Sequence, residues 1–318
     1  MNKIMRTLLL SPIFFAVSSC GAGTSSSPSS SSSQEETSQV PDLGPVDVVI
    51  ISGQSNGVGC SHVDCLFDSM GSDKYAEYSA GYPEIQIAYD CWTKEWAPSG
   101  EVTGFVSQNA SPRYNFTDVK LGQGNGSRTF GPEIGIAEVT HEKYDGKLFL
   151  IKYACGGSNL KDDWARRKSP MYGRFIDYVK LQMGNLVKKG YSPTIKAFCW
   201  MQGEGDSYKG YYDQYKDNLR GFLKNVRDDL RDLAGNKDIP FIDAGISDAE
   251  IWEYSAQVNQ AKKEFAEESE NNYFIDTIAA GLHTDHEPAG NIDTAHYDSD
   301  SEIELGHLFA EAFERFLS

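Results

Sequence analysis

The stretch VDVVIISGQSNGVG, residues 46–59, decides how the rest of the chain is read. Its first half is apolar almost without interruption and rich in β-branched residues, which suits a strand buried on both faces of a parallel sheet. It then breaks into Gly, Gln, Ser, Asn and Gly. A small hydroxyl, Ser55, therefore stands at the mouth of a buried strand, the address of a helix cap or of a nucleophile. Gly53, Gly57 and Gly59 give the backbone freedom that a tight turn there needs.

Four further runs repeat the pattern: KLFLIKYA (147–154), TIKAFCWMQ (194–202), IPFIDAGI (239–246) and NYFIDTI (272–278). Helical periodicity lies between them. In GRFIDYVKLQMGNLVKKG (173–190), Phe175, Tyr178, Val179, Leu181, Met183, Leu186 and Val187 make one stripe. Residues 211–233 and 301–317 behave alike, the latter with Ser301 and Glu304 in capping-box spacing. The alternation predicts an α/β fold: a three-layer α/β/α sandwich around a central parallel sheet of about five strands. Ligands in such folds bind beyond the carboxyl ends of the strands. The polar blocks that follow the first three runs are GQSNG, CGGSN and MQGEGD; NIDTAHYD lies before the last helix.

The remainder bounds the organisation. Lys3 and Arg6 precede a ten-residue, mainly apolar stretch, Leu8 to Val17, which predicts a signal peptide over 1–20. Its end, VSSC, is similar to the bacterial lipoprotein cleavage box, with Cys20 as the residue to be lipidated. Residues 21–44 are Ser-rich and read as a flexible tether, and 45–318 read as one domain. The expected location is outside the cytoplasm, secreted or held at a bacterial cell surface by the lipid on Cys20. A formal charge of −17, with no basic patch, excludes a nucleic-acid partner. Besides Cys20 there are Cys60, Cys65, Cys91, Cys155 and Cys199, without a CxxC pair, so a finger-type zinc site is not expected and disulfide pairing is not legible.

Taken together, GQSN (53–56), FGPE (130–133), GGS (156–158), WMQGEGD (200–206) and DTAH (293–296) resemble the SGNH hydrolase superfamily, most closely the branch of carbohydrate esterase family 6 and the sialate O-acetylesterases. The blocks keep the family's order and reach across nearly the whole folded part. The resemblance implies a serine esterase with Ser55 as nucleophile, His296 as base and Asp293 as its orienting carboxylate. It implies an oxyanion hole from the backbone N–H of Ser55, that of Gly157 and the side-chain amide of Gln202. Gln54, Asn56, Gly156 and Glu204 would brace the site or touch substrate. No metal or organic cofactor is implied. The expected reaction removes O-acetyl groups from a carbohydrate, acetylated xylan first, a sialate or other glycan second.

Other readings compete at several positions. Glu204 and Asp206 would be the acid and base of a glycoside hydrolase, but they sit two residues apart in one loop. A carbohydrate-binding module on an inactive esterase fold would not need Ser55, Asp293 and His296 together. His283 and His286 are reserve bases, whereas His62, His141 and His307 read as incidental. DSDSE (298–302) hints at calcium ligands but lacks EF-hand spacing and reads as a solvated helix start. IQIAYDCWTKEWAPSG (85–100) reads as a hairpin within a substrate-facing excursion. Trp92, Trp96, Trp164 and the tyrosines of YKGYYDQY are candidates for stacking on sugar rings.

Overall fold

A computed structural model describes residues 41–108, 114–144 and 147–317 of the chain. The expected signal peptide, Cys20 and nearly all of the tether lie outside the described residues. In chain order the elements are β1 (Gly44–Gly53), α1 (Ser55–Val58), β2 (Ser61–His62), α2 (Val63–Ala80), β3 (Tyr82–Trp96), β4 (Val102–Ser107), β5 (Thr117–Val119), β6 (Thr129–Phe130) and α3 (Glu133–Tyr144). They continue with β7 (Leu148–Gly156), α4 (Pro170–Lys189), β8 (Tyr191–Met201), α5 (Tyr215–Leu230), β9 (Phe241–Ala244), α6 (Ser255–Ala266), β10 (Asn272–Ile275) and α7 (Ser299–Glu314).

The main sheet has the order β10-β9-β8-β1-β7-β3-β4, with β5 paired to β3. From β10 to β3 every pairing is parallel. All five apolar runs are strands of this parallel part, and β1 and β7 are buried along nearly their whole length. Helices α2, α3 and α7 pack with one another, as do α4, α5 and α6, giving the two outer layers. The aromatic core under α4–α6 joins Phe175, Phe198, Trp200, Phe222 and Phe241 through rings 4.7–6.2 Å apart.

Three expectations need correction. The segment 85–100 is not a plain hairpin: Ile85 to Thr93 pair in parallel with β7, making a sixth parallel strand, and only the end of β3 turns back against β4. Within α4, Leu181 and Val187 face solvent, so the buried stripe runs through Phe175, Tyr178, Val179, Met183 and Leu186 instead. The expected capping box at Ser301 is absent. Helix α7 starts at Ser299, its N-cap Asp298 lying three residues before Ser301, and the Ser301 hydroxyl accepts the His283 N–H at 3.1 Å. Local chemistry fixes α4 more simply: Ser169 caps it by accepting the Met171 N–H, Pro170 follows, and Gly190 ends it in the left-handed region.

Strand order sets where the site lies. After β1 the chain moves to β3 and β7 on one side, then crosses to β8, β9 and β10 on the other. The reversal falls at β1, whose Gly53 is level with Ala154 of β7 and Met201 of β8. The crevice beyond these three strand ends is the place where such folds bind ligands. None of the five cysteines of the folded part forms a disulfide among the described residues, and Cys91, Cys155 and Cys199 are buried.

Candidate active site

At the end of β1 the chain must turn with almost no room. Gly53 has φ +140°, and a Cβ there would come within 1.9 Å of the Met201 carbonyl oxygen, so only glycine lets β1 and β8 close up here. The Gln54 N–H donates to that same carbonyl at 2.8 Å. Ser55 then opens α1, half-buried at the crevice, and its hydroxyl makes no hydrogen bond among the described residues. Beneath it, buried Lys152 reaches the Val58 carbonyl at 3.0 Å and Glu133 at 2.7 Å, so the FGPE block supports the back of α1.

Block two supplies the opposite wall. A Cβ added to Gly156 would lie 3.9 Å from the Ser55 Cβ, which puts the β7 end directly against the serine. Gly157 has φ +70°, a conformation that turns its peptide out of the strand and favours glycine. Neither the Ser55 nor the Gly157 N–H has a protein acceptor among the described residues. Trp96, 55% exposed at the end of β3, has its indole nitrogen 3.9 Å from where a Gly157 Cβ would stand. Trp92 and Trp164, by contrast, belong to the core.

Block three lies behind the serine, not in front of it. Gln202 is fully buried, and its amide nitrogen donates to Gln54 Oε1 at 3.2 Å and Asp206 Oδ2 at 2.7 Å. Its carbonyl oxygen accepts from the Tyr215 hydroxyl at 3.1 Å. Both amide hydrogens are thereby engaged, and the expected side-chain oxyanion donor is turned inward as a brace. Gln54 Oε1 also accepts the Gly205 N–H at 2.9 Å. Asp206 accepts from the Leu160 N–H at 2.6 Å, and burial nevertheless raises its pKa to about 6. Glu204 and Asp206 are both buried beneath the cleft, an arrangement that leaves neither facing a glycosidic bond.

The last loop brings the imidazole. His296 Nδ1 lies 2.6 Å from Asp293 Oδ2, leaving Nε2 as the nitrogen that accepts a proton. Burial on its own would lower the imidazole pKa. The hydrogen bond to Asp293 and the Cys60 side chain beside it raise it instead, to about 11. Asn56 joins this loop to the serine: its Oδ1 accepts the Tyr297 N–H at 3.1 Å and its Nδ2 donates to Glu204 Oε1 at 2.8 Å. The residue after Ser55 is thus bonded to the residue after His296. Burial raises the Glu204 pKa, while the Asn56 bond and the charges of Lys262 and His296 act against it. Cys60 and Tyr297 had no motif to mark them, and only the fold reveals their positions.

His283 and His286 cluster on Asp298, and neither bonds to Asp293 among the described residues. A cavity lined by Thr194, Lys196, Asp238 and Arg315 opens at the amino edge of the sheet and holds none of these residues.

The family model described as carbohydrate esterase, sialic acid-specific acetylesterase matches residues 45–315. The chain belongs to this family. It is accordingly a carboxylic ester hydrolase acting on acetylated carbohydrate. Among solved structures it is similar to a protein of Arabidopsis thaliana, at 22% identity and TM-score 0.58, covering 86% of this chain and 100% of that one. It is similar to NanS at 15% identity and TM-score 0.55, covering 87% and 98%. A carbohydrate acetylesterase from Xanthomonas citri follows at 14% identity and TM-score 0.50, covering 85% of this chain and 56% of that one. These likenesses carry the fold. A search of curated protein sequences finds no match.

Proposed function

We propose that the protein is an O-acetylesterase for a neutral plant-type polysaccharide, acetylated xylan first, working through an acetyl-serine. Ser55 Oγ attacks the ester carbonyl carbon as His296 Nε2 takes its proton. The tetrahedral oxyanion is received by the backbone N–H groups of Ser55 and Gly157, a kind of stabilisation worth about 10²–10³ in rate per donor. Collapse breaks the acyl–oxygen bond, and His296 returns its proton to the departing sugar oxygen. Water then attacks the acetyl-serine, His296 takes its proton and hands it to Ser55 Oγ, and acetate leaves. Asp293 holds the imidazole tautomer and stabilises the imidazolium.

The observation that carries this reading is the Asn56 bridge, which fixes the base's loop to the nucleophile's helix through one side chain. Preference for a neutral glycan over a sialate rests on charge: a protein of net charge −17 repels an anionic sugar. Export, with a lipid on Cys20, is part of the same proposal and rests on the apolar run and the VSSC box.

The test follows acetate release from 4-nitrophenyl acetate, acetylated xylan and 9-O-acetylated sialic acid, with Ser55→Ala alongside. Ser55-dependent turnover of xylan supports the proposal. Turnover of the sialic acid but not the xylan replaces the substrate and keeps the mechanism, and release that survives Ser55→Ala refutes the nucleophile.

A further inference from the structure

The loop between β10 and α7 holds a second group of side chains that the ester chemistry does not use. His283 Nδ1 lies 2.6 Å from Asp298 Oδ2, and His286 Nδ1 lies 3.7 Å from the same oxygen. The two imidazole rings are 4.3 Å apart at 55°. Asp285 sits 3.4 Å from His286 Nε2. One donor atom from each of His283, Asp285, His286 and Asp298 falls within 4.8 Å of all the others. Four donors about 2.0–2.2 Å from a tetrahedral zinc ion stand about 3.4 Å from one another, so these atoms bracket the required spacing.

We propose that this cluster binds a divalent transition-metal ion of the zinc class, with His283, His286 and Asp298 as ligands and Asp285 as the fourth. Two features separate it from a chance group of surface charges. Asp298 is only 2% exposed and is aimed by the backbone, its Oδ1 accepting the Glu287 N–H at 2.9 Å and its Oδ2 the His286 N–H at 3.0 Å. On the far side of His283, Nε2 lies 3.4 Å from Asp300 Oδ1, the outer carboxylate that orients a metal-bound histidine. Two imidazole donors favour zinc and its neighbours over calcium or magnesium, which take oxygen ligands. The acidic run at 298–302 thus acts with histidines that come before it in the chain, and not alone.

The site has a consequence for geometry. His283 and His286 enter the loop and Asp298 closes it, with Asp293 and His296 between them. One ion would tie the two ends together and hold the dyad-bearing segment in one conformation. The role this proposal gives the ion is to position that segment.

The test uses the purified full chain, stripped with a chelator, dialysed and titrated with Zn²⁺ by calorimetry, with bound metal counted by mass spectrometry. His286→Ala and Asp285→Asn change exposed side chains and leave the core intact, which circular dichroism checks. One zinc per chain is expected. His286→Ala should weaken it more than about 100-fold, because even outer partners are worth about 10–100-fold. Zinc at a hundredfold excess over Kd should raise the wild-type melting temperature by on the order of 5 °C, and should not do so in His286→Ala. No zinc binding by the wild type, binding that both substitutions leave unchanged, or equal competition by Ca²⁺ would overturn the assignment. Ser55→Ala should bind zinc like the wild type, so loss of the esterase reading leaves this one standing.

Discussion

Replacing Asn56 tests how the two halves of the candidate site are held together. Its side chain is 1% exposed and makes two buried hydrogen bonds, one accepted from the Tyr297 N–H and one donated to Glu204 Oε1. Asn56→Ala leaves both partners buried without a mate, and Glu204 Oε2 already has none among the described residues. Each orphaned group costs about 1–3 kcal/mol, so the variant should lose about 3 kcal/mol. For a domain of this size that lowers the melting temperature by about 6–12 °C. The serine and imidazole also lose their common anchor, and a displacement of about 1 Å costs about 10²-fold in kcat. Asn56→Asp sharpens the test. Its carboxylate still accepts from Tyr297 but faces Glu204, and the pair is tolerated only while one of them keeps a proton. The folded state then binds more protons than the unfolded one, so stability present below the ordinary glutamate value of 4.5 is lost as pH rises through the raised folded pKa. Calorimetric melting from pH 4.5 to 8, with 4-nitrophenyl acetate turnover at each pH, measures both effects. An Asn56→Ala protein that melts within about 2 °C of wild type and keeps kcat within about threefold would refute the bridge.

Two further predictions address the base and the rim. His296 must be neutral to accept the serine proton, and a pKa of about 11 makes the neutral form the minor one at pH 7, so kcat/KM should climb with pH into the alkaline range. Cys60→Ala removes a partner that raises that pKa, and the ascending limb should move to lower pH; lowering the imidazole pKa by about one increases its neutral fraction at pH 7 about tenfold. An unchanged limb means that the group titrating in the profile is not this histidine. Trp96→Ala removes the exposed indole beside Gly157 and should raise KM for acetylated xylan about tenfold, the equivalent of about 1.4 kcal/mol. Turnover of 4-nitrophenyl acetate should be untouched, and equal losses on both substrates would place Trp96 in the fold and not in the glycan site.

What could be read from the sequence divides along a physical line. Strands buried on both faces declare themselves as nearly unbroken apolar runs, and β1, β7, β8 and β9 were legible for that reason; β10, at the sheet edge and half-buried in its middle, was legible from the same apolar run. Strand β3 was only half legible. Its Asp90 and Lys94 look like surface residues until partners far along the chain bury them: Ser107 donates to Asp90 at 2.9 Å and Lys94 pairs with Asp163 at 2.6 Å. Ser301 and Glu304 had the right spacing for a capping box. The serine was claimed by a backbone N–H 18 positions away, which no local pattern encodes. The site divides in the same way. A motif marks which residues meet, as with Asp293 and His296, but not which way an amide points, as with Gln202.

That inward turn of Gln202 explains why so much polar chemistry is buried beneath one serine. Gln54, Gln202, Asp206 and Tyr215 form one chain of hydrogen bonds, and Asn56, Glu204 and the Tyr297 backbone form another. Both start from residues flanking Ser55. Burying them in an apolar core would be costly unless each donor finds an acceptor, and removing one member leaves the rest unpaired at low dielectric. Such a layer is stiff because its alternatives are expensive. The loop bearing His296 hangs from that layer at Tyr297, while the imidazole itself remains 26% exposed with its neighbours Asp293 and Cys60. In the proposed mechanism a braced serine thus works with a base on a partly exposed loop. Catalytic alignment in this protein should accordingly be more sensitive to changes between residues 283 and 298 than to changes of similar size on the outer helices.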